Sequence, residues 1–158
     1  MKLKIIEIPS HKNFRYFWIF FCILFISQLV SAALANYINP DLTNTKLQFD
    51  SLWEEFFVVV VIAPVIETVI FQYAFIETLA NLKVKAWICI VTSALLFGAL
   101  HWHNPVYVMV TTVVGFIIAY YYMALRKQKG LNGIMLLIAI YALFNALAFI
   151  LKNFSKLL

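Results

Sequence analysis

Glu67 stands in the apolar run Ala63-Pro64-Val65-Ile66-Glu67-Thr68-Val69-Ile70-Phe71-Gln72, one turn after a proline. An ionised carboxylate in hydrocarbon costs at least about 2.5 kcal/mol, so an acid there needs polar partners and marks a candidate functional site. Downstream, the strongly polar groups inside or at the rims of apolar segments are His101, His103, Tyr141 and Asn145. On helices, Phe97 and His101 share a face, as do Tyr141 and Asn145, while Thr68 and Gln72 form a second polar edge beside Glu67. Three helices then present polar groups to one buried point. A carboxylate facing an imidazole and a carboxamide suffices to activate water. The acid serves as general base and the other two as donors to a developing oxyanion, with or without a bound metal. Hydrolysing a peptide bond inside a membrane requires such an arrangement.

The elements that position these groups follow from composition. The chain has 158 residues, enough for one domain, and is 65% hydrophobic with a mean hydropathy of +0.93, far above a soluble protein. Its formal net charge of +5 comes from short basic clusters between apolar segments. Positive loops beside membrane spans account for that pattern, and nucleic acid is not expected as a partner. Cys22 and Cys89 fall inside apolar segments without CxxC or metal-type spacing, so neither a disulfide framework nor a zinc ribbon is indicated.

Five apolar segments are expected to span the bilayer: about Tyr16–Ala35, Trp53–Leu79, Ala86–His101, Val106–Leu125 and Gly133–Leu151. The first, after a head carrying Lys2, Lys4, Lys12 and Arg15, is long enough to be a retained helix instead of a signal core. Residues 36–52, with Pro40, Asp41, Thr43, Asn44 and Asp50, make the longest loop. Pro64 predicts a kink near Ala63 that aims Glu67 into the protein. With the N-terminus cytoplasmic, Lys83, Lys85, Arg126, Lys127 and Lys129 share its side, and only Lys46, Lys152 and Lys156 lie opposite. Trp18, Trp53, Trp87, Trp102 and Tyr120-Tyr121-Tyr122 fall near span ends, as interfacial aromatic belts do. The expected fold is an all-α polytopic membrane helical bundle of about five transmembrane helices. Residues 1–52 form the head, first span and extracytoplasmic loop, and 53–158 the core.

Each polar residue also has a structural reading. Glu67 can be a buried group paired with His101, His101 a cap at a span end, and His103 a loop residue. Tyr141 belongs by default to packing and Asn145 to an interhelical hydrogen bond. The pair Glu54-Glu55 sits at the start of its span, where charge is expected to be solvated, and Glu77 reads as interfacial.

Taken in order, Glu67 with its flanks, then Phe97-Gly98-Ala99-Leu100-His101, then Tyr141-Ala142-Leu143-Phe144-Asn145, resemble the three motifs of the CPBP (Abi) intramembrane metalloproteases: EExxxR, FxxxH and HxxxN. That family includes the type II CAAX prenyl proteases and bacteriocin-processing or immunity proteins. The resemblance covers about Trp53 to Leu151. It implies that Glu67 is the water-activating base and that His101 and Asn145 bind a divalent metal, zinc being the candidate, or stabilise the oxyanion. Thr68 stands where the family has its second glutamate, Gln72 where it has arginine, and Tyr141 where it has histidine. Thr68, Gln72, Tyr141 and His103 are accessory candidates, His103 as a further ligand and Tyr141 as an oxyanion donor. The implied activity is glutamate-dependent endopeptidase cleavage of a membrane-associated or exported peptide or protein. The alternative is a catalytically silent member that binds a partner as an immunity or assembly protein. A proton-relaying transporter is a third, weaker reading. A bacterial cytoplasmic membrane, a lipid environment and a homodimer shielding the cavity complete the expectations.

Overall fold

The computed structural model describes residues 5–38, 48–102, 104–128 and 132–154. The expected loop residues Pro40, Asp41, Thr43 and Asn44, the basic residues Lys2, Lys4, Lys46, Lys129 and Lys156, and His103 lie outside the described residues. Among the described residues five helices run in chain order: α1 (Asn13–Ile38), α2 (Leu52–Asn81), α3 (Ala86–Ala99), α4 (Pro105–Leu125) and α5 (Asn132–Phe154). Among the described residues, four segments are long and apolar enough to cross a membrane, Ser10–Leu34, Leu52–Asn81, Pro105–Leu125 and Asn132–Asn153. The protein is an all-α membrane helical bundle. Its third helix is the short one: at about 1.5 Å per residue α3 rises roughly 21 Å, less than a hydrocarbon core of about 30 Å.

Local sequence accounts for the ends. Ser51 caps α2, its hydroxyl accepting from the Glu54 N–H at 3.1 Å. Asn104 caps α4, its Oδ1 accepting from Val106 N and Tyr107 N at 3.0 and 3.2 Å, with Pro105 in the first turn. Between α3 and α4 the chain reverses within a few residues, so the two helices pack antiparallel. Their close approach depends on glycine. A Cβ at Gly98 would collide with the Thr112 side chain and sit 3.0 Å from the Val108 carbonyl oxygen, and one at Gly115 would sit 2.9 Å from the Phe97 ring. Small residues let membrane helices come together where lipid supplies no hydrophobic drive.

The N-terminal arm packs on the far end of α4. Ile8 is buried, its N–H donates to the Ala124 carbonyl at 2.9 Å, and Gln128 Nε2 returns a bond to the Ile8 carbonyl at 2.9 Å. At the same end the Arg126 guanidinium donates twice to Glu77, at 2.7 and 2.9 Å, and the Tyr122 hydroxyl donates to Glu77 at 2.6 Å. The hydrogen-bonded Glu77 carboxylate raises the Arg126 pKa above its ordinary value, so the guanidinium stays charged.

Helices α2 and α5 run antiparallel along one seam. Tyr141 meets Glu67, Asn145 meets Val59, Phe149 packs edge-on against Phe56 at 5.6 Å, and Lys152 Nζ bonds Glu55 at 2.6 Å. Glu55 therefore departs from the sequence expectation. It is 8% exposed and paired instead of solvated, because the last turn of α5 covers it.

Candidate active site

Helix α2 is not the simple kinked helix that Pro64 predicts. Two π-helical stretches, Phe57–Ile62 and Thr68–Ala74, flank the α-helical turn Ala63–Glu67 that carries the carboxylate. Their effect shows in the buried stripe Val60, Pro64, Thr68, Gln72 and Ile76, which advances in steps of four. On an uninterrupted α-helix each such step drifts by about 40°, and four steps would carry the stripe nearly to the opposite side. The wider π turns cancel the drift and keep the stripe on one side.

The first π stretch also explains Asn145. The Ala63 N–H donates to the Val58 carbonyl, bypassing Val59, and Pro64 has no N–H. Val59 thus loses both its α-type and its π-type donor. Asn145 Nδ2 fills the gap at 2.8 Å. One turn earlier on α5, the Tyr141 hydroxyl donates to Glu67 Oε2 at 2.6 Å. The two α5 side chains that the sequence places on one face therefore grip α2 on both sides of Pro64. Asn145 also interacts with the Tyr141 hydroxyl.

His101 lies just past the end of α3, half-buried. Its Nδ1 is 3.0 Å from the Phe97 carbonyl oxygen. A carbonyl only accepts, so Nδ1 carries the proton, and in the neutral imidazole the lone pair then resides on Nε2. Phe97 is the hub that joins this histidine to the carboxylate. Its ring centroid is 5.4 Å from His101, 6.0 Å from Tyr141 and 6.0 Å from Phe71. Tyr107, in the first turn of α4, stands edge-on to His101 at 5.0 Å and 80°, within electrostatic reach of Glu67 and Tyr141. The sequence reading missed Tyr107. Asn104-Pro105 was the available signal, because a cap followed by proline starts a helix whose first turn folds back beside His101.

Thr68 and Gln72 do form the second polar edge, and both are fully buried. They lie along the buried stripe. His103 lies outside the described residues.

The family model for type II CAAX prenyl endopeptidase Rce1-like proteins matches residues 49–147, more than half of the chain. The chain belongs to the Rce1-like family. The match begins just before α2 and ends in α5, so it spans every residue of the candidate site and leaves α1 outside. No curated protein and no solved structure matches the chain.

Rce1-like membership raises the question of a metal. Catalytic zinc is usually held by three good protein ligands. Among the described residues no three His, Cys, Asp or Glu side chains are grouped to hold a metal ion. Glu67 Oε1 and Asn145 Oδ1 are left as oxygen donors, since the Tyr141 phenol bonds Glu67 Oε2 and the Asn145 nitrogen bonds Val59. With His101 as the one described imidazole at the site, this set offers a single nitrogen ligand, fewer good ligands than catalytic zinc usually has.

Proposed function

We propose that this Rce1-like protein is an intramembrane endopeptidase in which Glu67 is the general base. The observation that carries the reading is the 2.6 Å hydrogen bond from Tyr141 to Glu67 in a bundle of apolar helices. It holds a carboxylate in a fixed direction beside a phenolic proton donor. In the proposed reaction Glu67 takes a proton from water as the oxygen attacks the scissile carbonyl carbon. Once protonated, Glu67 no longer attracts the phenol, and the Tyr141 O–H turns to the new oxyanion. The oxyanion then collapses and the C–N bond breaks. Glu67 delivers its proton to the nitrogen as this bond breaks, which yields a carboxylic acid and an amine and leaves Glu67 ionised; the acid's proton then passes to the amine. His101, with its lone pair on Nε2, orients the water. Asn145 holds α2 and Tyr141 in register and acts as a positioning residue. A divalent metal at His101 enters this proposal only with a ligand beyond the described donor set, for which the sequence offers His103.

The test uses purified protein in liposomes with two fluorogenic peptides, one carrying a prenylated C-terminal CAAX sequence and one a transmembrane anchor with an outer cleavage segment. Cleavage of either that is lost in Glu67→Gln supports the reading, and no Glu67-dependent cleavage of any anchored peptide overturns it. We favour the second peptide. The N-terminal arm bonds to residues 124–128, beside Arg126 and Lys127, which supports a cytoplasmic N-terminus, and on that reading His101, at the other end of α4, faces the opposite side. A silent binding or immunity role is the second reading, favoured by Tyr141 in place of the family's histidine. It predicts a cellular phenotype that Glu67→Gln leaves unchanged.

A further inference from the structure

Thr68 and Gln72 are 0% exposed, yet Thr68 Oγ1, Gln72 Oε1 and Gln72 Nε2 have no hydrogen-bond partner among the described residues. Buried polar atoms are nearly always paired, and the exceptions ask for an explanation. The two side chains are one turn apart on the same buried stripe, where Cβ atoms stand roughly 5–6 Å from each other. Side chains at that spacing can bond each other directly, yet these two do not, and a bridge of one small molecule would satisfy both. Together the two side chains offer two donor groups and two acceptors, all neutral. A lone ion there would be left uncompensated in a low-dielectric interior. A guest that both donates and accepts fits the set. The smallest such molecule is water, and three partner atoms match what an internal water commonly uses.

We infer that Thr68 and Gln72 hold an internal water molecule in the bundle, one residue along the chain from Glu67. The site lies within the second π stretch, where widened turns aim both side chains to one side. It replaces by hydration the pairing that a charged couple would provide at these positions. Its use as a store for hydrolysis rests on the protease reading, but its existence does not.

The test is X-ray radiolytic labelling of the full-length protein in detergent, in which radicals formed from a bound water oxidise the side chains around it. Pro64 and Ile76 flank the pair on the stripe and are fully buried, as is Ile140 on α5, which serves as the control. Labelling of Pro64 and Ile76 several-fold faster than Ile140 is expected in the wild type and in Glu67→Gln, whatever becomes of cleavage. It should fall to the control rate in Thr68→Val/Gln72→Leu. Thermal unfolding gives an independent sign. Removing water-bridged groups lowers the Tm, whereas removing orphaned ones raises it. Wild-type labelling no faster than Ile140, or a double variant whose Tm is unchanged or higher, overturns the inference. Should the double variant fail to fold, the wild-type and Glu67→Gln labelling decides alone.

Discussion

The Tyr141 hydroxyl donates to Glu67 Oε2 at 2.6 Å, joining the middle of α5 to the middle of α2. Four residues later Asn145 donates to Val59, a backbone carbonyl two turns earlier on α2. Between the two contact points lies Pro64, whose missing N–H gives Asn145 its partner. The same proline therefore shapes the helix that carries the acid and the seam that orients the phenol.

Glu67→Gln keeps the shape of the side chain and removes the base. Cleavage of an anchored peptide should fall by about 10²–10⁴-fold, with insertion and fold retained. Tyr141→Phe keeps the ring against Phe97 and removes the donor, so kcat should fall by about 10²-fold with little change in KM. Steady-state kinetics in liposomes measure both. A Tyr141→Phe enzyme with wild-type kcat would remove the phenol from the reaction.

Asn145→Ala should destabilise the bundle by about 1–3 kcal/mol, because the Val59 carbonyl is left without a donor. Pro64→Ala restores a backbone N–H to α2. The cost of Asn145→Ala should therefore be smaller in a Pro64→Ala background. Unfolding of all four proteins of the cycle gives the coupling. Additive losses would show that proline and asparagine act separately.

Tyr141→His rebuilds the HxxxN pattern with Asn145 and adds an imidazole beside Glu67. Elemental mass spectrometry of purified protein should find more divalent metal in this variant than in the wild type. Stoichiometric zinc in the wild type, lost in His101→Ala and in His103→Ala, would instead assign His103 to the metal and replace the metal-free scheme.

Gly98→Ala places a Cβ against Thr112 and the Val108 carbonyl, and backbone cannot yield as a flexible side chain can. A loss of about 1–3 kcal/mol in stability is expected, together with loss of activity, since α3 carries Phe97 and His101 to the site. Gly98→Ala combined with Thr112→Ala should recover part of it. No recovery would place the strain at the Val108 carbonyl.

Much of this protein was legible in its sequence. Long apolar segments bounded by polar turns and tryptophans are fixed by the cost of putting backbone and charge into hydrocarbon, and they specify an all-α membrane bundle. An acid in such a segment demands partners. Tyr141 and Asn145, four apart on a distant span, were readable as a shared face, and the order of the motifs pointed to the family that the comparison then showed. Tertiary structure decided the rest. The π stretches depend on how α2 packs, because only neighbours can satisfy the carbonyls that a widened turn and a proline leave over. Val59, which a list of side chains does not show, became the partner of Asn145 in that way. Tyr107 reached His101 because a tight turn folds α4 back on α3. Glu55 became buried because α5 ends over it. Spacing along the chain determines which residues share a face, but which face meets which neighbour is set by packing among helices distant in sequence.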